Sequence, residues 1–259
     1  MNAADIAFKT LGGHGHDLIL VHGFGADRLS WAANVPSLLP LARVHSLDLP
    51  GHGGTTLGVG NGSIAFIAGA IANCIAEHGI VRAHFVGHSL GGAVALVLAA
   101  RRPALVASLA LITPVGLGKG VSPEFLMELV EATEINATIA LLRRLVVRPQ
   151  LISKITANKL LEHLSRSGNR DNLRKIAGAI KIAEKTEMPG YIDAIATGLP
   201  RLVIWGSEDV INPPWKHLLA KFGAMPQFVE EAGHLPHIER PDHVNRQLVA
   251  FIGQLAAVP

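Results

Sequence analysis

Three observations predict an α/β protein with a mainly parallel sheet covered by helices on both faces. Short runs rich in β-branched and apolar residues alternate with helical patterns along most of the chain. A Gly-His-Ser-Leu-Gly-Gly turn at 87–92 lies directly between one such run and one such helix. The 259 residues, 49% hydrophobic and 17% charged, are enough for one large domain, or a domain with an insertion, that buries about 70% of its surface.

Taken in order, strands are read at Asp5 to Leu11, Asp17 to Val21, Arg43 to Leu47, Ala83 to Val86, Leu109 to Thr113, Leu202 to Trp205 and Gln227 to Glu230. Apolar residues at helical spacing fill Ser63 to Glu77, Gly91 to Arg101, Pro214 to Phe222 and Pro241 to Leu255. Between Leu117 and Leu199 the strand signals stop. There Pro123 to Val130, Thr138 to Val146, Gln150 to Ser165 and Asn172 to Lys185 repeat with helical period. The predicted organisation is a core over residues 1–116 and 200–259, with an inserted helical lid over 117–199.

Composition excludes several classes. The hydrophobic content is too high for a disordered chain, and the 27 glycines follow no three-residue period, which excludes collagen. The longest apolar run, Ala93 to Ala100, is stopped by Arg101 and Arg102, far short of the roughly 20 residues that span a bilayer. No membrane partner is expected. Lys and Arg number 23 against 20 Asp and Glu, and the +3 balance is dispersed, so no nucleic-acid partner is expected either. The one dense basic stretch, Arg143, Arg144 and Arg148, reads as a solvated helix face. A single cysteine, Cys74, and a start without a secretory signal predict a cytoplasmic protein.

The chemistry begins at Gly87-His88-Ser89-Leu90-Gly91-Gly92. A G-x-S-x-G between strand and helix is a nucleophile elbow: the turn is too tight for side chains at the glycines, and it lifts the serine hydroxyl above the sheet edge. Ser89 needs a base to take its proton, and on this architecture an acid and then a histidine follow the serine on loops after strands. His234, after the last strand, fits; His237 is the competing histidine, and His217 falls on a helix. The loop after Leu202 to Trp205 offers Asp209, with Glu208 the alternative, to accept the imidazole N–H and fix its tautomer. The oxyanion needs donors fixed in advance. The backbone N–H groups of Leu90 and of Phe24, in Val21-His22-Gly23-Phe24-Gly25, are expected to supply them, with His22 supporting the loop.

Other sites do not assemble from the sequence, and no metal or cofactor is predicted. Arg28 stands where a dinucleotide fingerprint needs its third glycine, and Gly118-Lys119-Gly120 lacks the rest of a P-loop. His84 and His88, four apart on a strand, are about 13 Å apart, too far to share a zinc ion. His14 and His16 read as loop histidines.

His22-Gly23-Phe24-Gly25, Asp48-Leu49-Pro50-Gly51-His52-Gly53, the elbow, Trp205-Gly206-Ser207-Glu208-Asp209 and Ala232-Gly233-His234 together resemble the α/β-hydrolase superfamily over roughly Ile6 to Ile252. Within it the chain looks most like the hydrolase-type catalytic domain of the dihydrolipoamide acetyltransferase component of acetoin dehydrogenase, including Val115-Gly116-Leu117-Gly118, but without a lipoyl domain. The histidine loop, Gly233-His234-Leu235-Pro236-His237-Ile238-Glu239, has the form of free-standing hydrolases. The resemblance implies an α/β-hydrolase fold with an eight-stranded sheet. Dehalogenases and epoxide hydrolases of this fold carry Asp at the elbow, whereas position 89 is Ser.

The expected activity is that of a serine hydrolase on a small or medium acyl ester or thioester. An acyltransferase, a carbon–carbon bond hydrolase and a ligand receptor on a hydrolase scaffold are the alternatives. The expected partner is a small-molecule acyl substrate. Phe125, Met127, Leu129, Leu142, Leu145 and Met188 are the candidates to line its pocket.

Overall fold

The computed structural model describes residues 5–256 apart from Leu57 and Ala196. Met1 to Ala4, from the start that was read for a leader, lie outside the described residues, as do the outermost ends of the predicted core. The sheet is built from β1 (Phe8–Gly12), β2 (Asp17–Val21), β3 (Arg43–Leu47), β4 (Ala83–His88), β5 (Val106–Ile112), β6 (Arg201–Gly206) and β7 (Gln227–Val229), in the order β1-β3-β2-β4-β5-β6-β7. β1 runs antiparallel to β3 and the other pairs are parallel. Seven strands are thus present among the described residues instead of eight. Each of the seven runs read as strands in the sequence makes one strand of the sheet.

Strand periodicity divides the core into two layers. In β2, Ile19 and Val21 point to one face while Leu18 and Leu20 point to the other. The first face is covered by α2 (Ile64–Glu77) and α3 (Leu90–Arg101), the second by the short α1 (Val35–Leu38) and, beyond the last strand, α11 (Pro241–Ala256), whose Val244, Leu248 and Ile252 recur at helical spacing. α3 is apolar all round and buried from Leu90 to Ala99, because the sheet lies on one side of it and α2 on the other. Ser63 caps α2 by accepting from the Phe66 N–H, and Cys74 is buried within that helix. α9 (Lys216–Phe222) and the one-turn α10 (Pro236–Glu239) complete the core.

Between β5 and β6 the regular structure is helical: α4 (Pro123–Val130), α5 (Ile135–Arg143), α6 (Lys154–Ser165), α7 (Asn169–Thr186) and α8 (Met188–Ala194). Local chemistry sets where these begin. Ser122 and Ser153 each accept from the backbone N–H three residues on, so α6 starts four residues later than its apolar spacing suggests, after a 3-10 turn at Pro149–Leu151. Gly168, at φ +78°, releases the chain from α6 and starts α7. α8 was not read from the sequence, since Pro189 and Gly190 interrupt its helical signal. It packs on α3 and α9, in the core layer.

Candidate active site

The elbow follows from steric necessity. Ser89 sits at φ +50° and ψ −113°, outside the regions that L-residues favour, between the end of β4 and the first turn of α3. A Cβ on Gly91 would lie 2.2 Å from the Val21 carbonyl oxygen, so only glycine lets α3 start this close to β2. The loop after β2 approaches equally closely: a Cβ on Gly23 would meet the Ser89 Cβ at 3.2 Å and the His88 ring at 2.5 Å.

Three side chains from the ends of three different strands converge here. The Ser89 hydroxyl is 3.0 Å from His234 Nε2, and His234 Nδ1 is 2.9 Å from Asp209 Oδ2. With Nδ1 donating to the carboxylate, Nε2 is free to accept the serine proton. All three are buried to 5% exposure. Asp209 is fixed as a bundle of acceptors: Oδ1 takes the Ile211 and Asn212 N–H groups at 2.9 and 3.0 Å, and Oδ2 also takes the Trp205 indole N–H at 3.1 Å. Burial pushes its pKa up, but the charge and hydrogen bond of His234 and the two backbone donors outweigh this and hold it below the usual carboxylate value. Glu208 points to solvent.

The backbone of His234 is gripped as firmly as its ring. Its carbonyl accepts from His88 Nε2 at 2.9 Å and from the Thr113 hydroxyl at 3.2 Å. His237, the competing histidine, is fully buried with its ring 4.5 Å from that of His88 and 4.7 Å from that of Trp31, and neither ring nitrogen has a partner. It fills space between His88 and Trp31. His22 holds the loop after β2: Nδ1 donates to the Gly23 carbonyl at 2.8 Å and Nε2 accepts from the Leu49 N–H at 2.9 Å. Phe24 lies on the cavity wall in the turn closed by Ala26 N–H donating to Gly23 O, and Leu90, first in α3, has no intrahelical partner for its N–H.

A cavity of about 610 Å³ opens over Ser89 and His234, walled by the loop after β2 and by α4 to α7. Of the six residues put forward for a substrate pocket, Phe125, Leu129, Leu142 and Leu145 line this cavity. Met127 and Met188 do not. Residue 127 lies two positions from Phe125 and from Leu129, on the opposite side of α4, and is exposed; Met188 is buried at the foot of α8 against Gly116. Leu126, Ile152, Leu160, Ile180 and Ile238 line the cavity instead, from elements whose inward faces could be read only once packed. Its outer rim is polar, with Arg28, Lys159, His163 and Arg166, and the Arg28 guanidinium is paired with buried Asp48. On the basic stretch, Arg144 pairs with Glu128 and Arg148 reaches Glu231, both in solvent-exposed ion pairs. Among the described residues no group of three His, Cys, Asp or Glu could hold a metal, and no helix is long and apolar enough to cross a membrane.

Burial sets the protonation of the imidazoles. It holds His22, His45, His52, His84, His88, His163 and His237 below the ordinary value of 6.5, His237 down to about 3. Each is neutral in the folded protein at a pH where the unfolded chain already binds protons. Their contribution to stability is therefore complete above about pH 6.5 and is lost as the pH falls toward the folded values. Urea midpoints measured from about pH 7.5 down to about pH 5 are expected to fall. The seven imidazoles outweigh the opposing group in this range, Glu184, whose carboxyl is pushed up to about 7 by burial and which favours the fold as it takes up its proton. A flat profile would contradict neutral burial.

The sequence profile of the alpha/beta hydrolase family matches residues 18–247. The dihydrolipoyllysine-residue acetyltransferase component of the acetoin cleaving system of Pseudomonas putida is 34% identical over 245 residues, covering 95% of this chain and 65% of that protein. The chain thus spans just under two thirds of that relative's length. Monoacylglycerol lipase ABHD6 of Bos taurus is 28% identical, with 96% of this chain and 79% of the lipase covered. Among solved structures, a mutant of the meta-cleavage product hydrolase CumD from Pseudomonas fluorescens, complexed with acetates, superposes with a TM-score of 0.83 at 22% identity, covering 96% of this chain and 94% of that one.

Proposed function

This chain belongs to the alpha/beta hydrolase family, and from that premise we propose that it is a serine hydrolase of small or medium acyl esters or thioesters. The observation that carries this is the line Ser89, His234, Asp209, with links of 3.0 and 2.9 Å, at the floor of an apolar cavity. Ser89 Oγ attacks the acyl carbonyl while its proton passes to His234 Nε2, and Asp209 stabilises the imidazolium that forms. The N–H groups of Leu90 and Phe24 receive the developing oxyanion. His234 then protonates the leaving alcohol or thiol, and a water activated by the same imidazole releases the acid and frees Ser89. About 610 Å³ of largely apolar space is the size of a small-molecule site and too small for a polymer.

The likeness to an acetyltransferase component favours a second reading, in which a dithiol takes the place of water. The two differ only in the acceptor that meets the acyl-serine. Purified protein given an acyl thioester, with and without free dihydrolipoamide, is expected to release mainly free acid in both cases. Acyl-dithiol as the main product at millimolar acceptor would replace the hydrolase reading with the transferase, and acylation of neither acceptor would remove both. A transferase working on a tethered carrier sees it at about millimolar effective concentration, so that range is the fair test.

A further inference from the structure

Glu239, the last residue of α10, is buried to 3% exposure and does not line the cavity. Its carboxylate accepts three backbone N–H groups: Oε2 from Val147 at 2.8 Å and Arg148 at 3.1 Å, Oε1 from Gly233 at 2.7 Å. Val147 and Arg148 belong to the insertion, in the stretch joining α5 to α6. Gly233 immediately precedes the base. The same stretch grips the histidine loop at two further places. The His234 N–H donates to the Leu145 carbonyl at 2.7 Å, and the Arg148 guanidinium reaches the Glu239 carbonyl at 3.4 Å and the Glu231 carboxylate at 3.5 Å. The approach is so close that a Cβ on Gly233 would lie 2.7 Å from the Leu145 oxygen.

We propose that Glu239 is a positioning residue whose carboxylate couples the insertion to the histidine loop, so that His234 stands against Ser89 only while residues 145–148 are docked. The proposal rests on the serine-hydrolase reading. A buried carboxylate is tolerated because its oxygens are hydrogen-bonded. If residues 145–148 lift away, Oε2 loses both its donors inside the protein, and the His234 N–H loses its acceptor in the same motion. The insertion and the base therefore dock as one unit. Opening the cavity on this side disassembles the site, and closing it restores the site, which ties turnover to a closed cavity.

Glu239→Gln tests this sharply, because an amide has one acceptor oxygen: in either orientation its NH₂ faces backbone donors that the carboxylate satisfied. Expected is a roughly 10- to 100-fold fall in kcat per serine labelled by a fluorophosphonate, with KM for a short ester little changed. Amide exchange at Val147, Arg148 and Gly233 should quicken together. Glu239→Asp keeps the charge but shortens the reach. It should fall between the wild type and Gln, and it carries the test if the Gln variant does not fold. A merely structural role would lower the labelled fraction and leave kcat per labelled serine at the wild-type level, and that result overturns the proposal. So does faster exchange at Gly233 without Val147 and Arg148. A wild type that is not labelled at Ser89 counts instead against the serine-hydrolase reading, and the paired exchange still decides whether the tether exists.

Discussion

Ser89→Ala is expected to lower ester turnover on the order of 10⁶-fold, the scale on which a triad nucleophile fails when removed alone. The variant keeps the backbone that the elbow imposes at φ +50°, since Ala has the same Cβ as Ser and the neighbouring glycines already provide the space. Only the hydroxyl and its 3.0 Å bond to His234 are lost. The melting temperature should hardly move, so lost activity cannot be attributed to lost fold. The measurement is initial rate on a p-nitrophenyl ester, with mass spectrometry of the fluorophosphonate-labelled wild type locating the adduct on Ser89. Turnover surviving in the variant would remove Ser89 from the mechanism.

Asp209→Asn is expected to cut kcat on the order of 10⁴-fold by reversing the imidazole tautomer. The two backbone N–H groups of Ile211 and Asn212 at Oδ1 decide the orientation of the new amide, because its oxygen must face them. The NH₂ is then left facing His234 Nδ1, which must accept instead of donate. Nε2 becomes protonated and can no longer take the serine proton. The same NH₂ faces the Trp205 indole N–H, which retains the Asn212 carbonyl at 3.0 Å, so a modest loss of stability accompanies the kinetic loss. Glu208→Gln is the control and should be silent, as the side chain is exposed. Greater damage from Glu208→Gln would move the acid by one residue.

What could be read from the sequence follows from how local each signal is. The strands are legible because a strand buried on both faces needs an uninterrupted apolar run, and Asp17–Val21 and Val106–Ile112 have little else. Ser89, Asp209 and His234 are legible because each stands in the loop that follows a strand, within five residues of its end, where glycines or an acidic pair mark the turn. Contacts between distant segments leave no such mark. Glu239 reads as one more charged residue beside Arg240, and nothing local shows that two of its three donors are 91 and 92 positions away. The cavity lining was half legible for a related reason. Helical spacing tells which residues share a face, so Phe125 and Leu129 go together and Met127 does not, but not which face turns inward. α8 was hidden by Pro189, which a first helical turn accepts because its missing N–H would have had no partner there.

The lone cysteine gives the folded protein a chemical clock. Burial first, and the nearby Glu77 second, push the Cys74 thiol up to about 11, so almost no thiolate exists near neutral pH and no reagent reaches it inside α2. Alkylation of this chain therefore waits for α2 to open. Its rate counts openings of the last turn of α2, where Cys74 sits three residues before the helix ends at Glu77. The same silence serves any assay that offers the protein a thioester and a dithiol, because neither meets a thiolate of the folded protein with which to exchange.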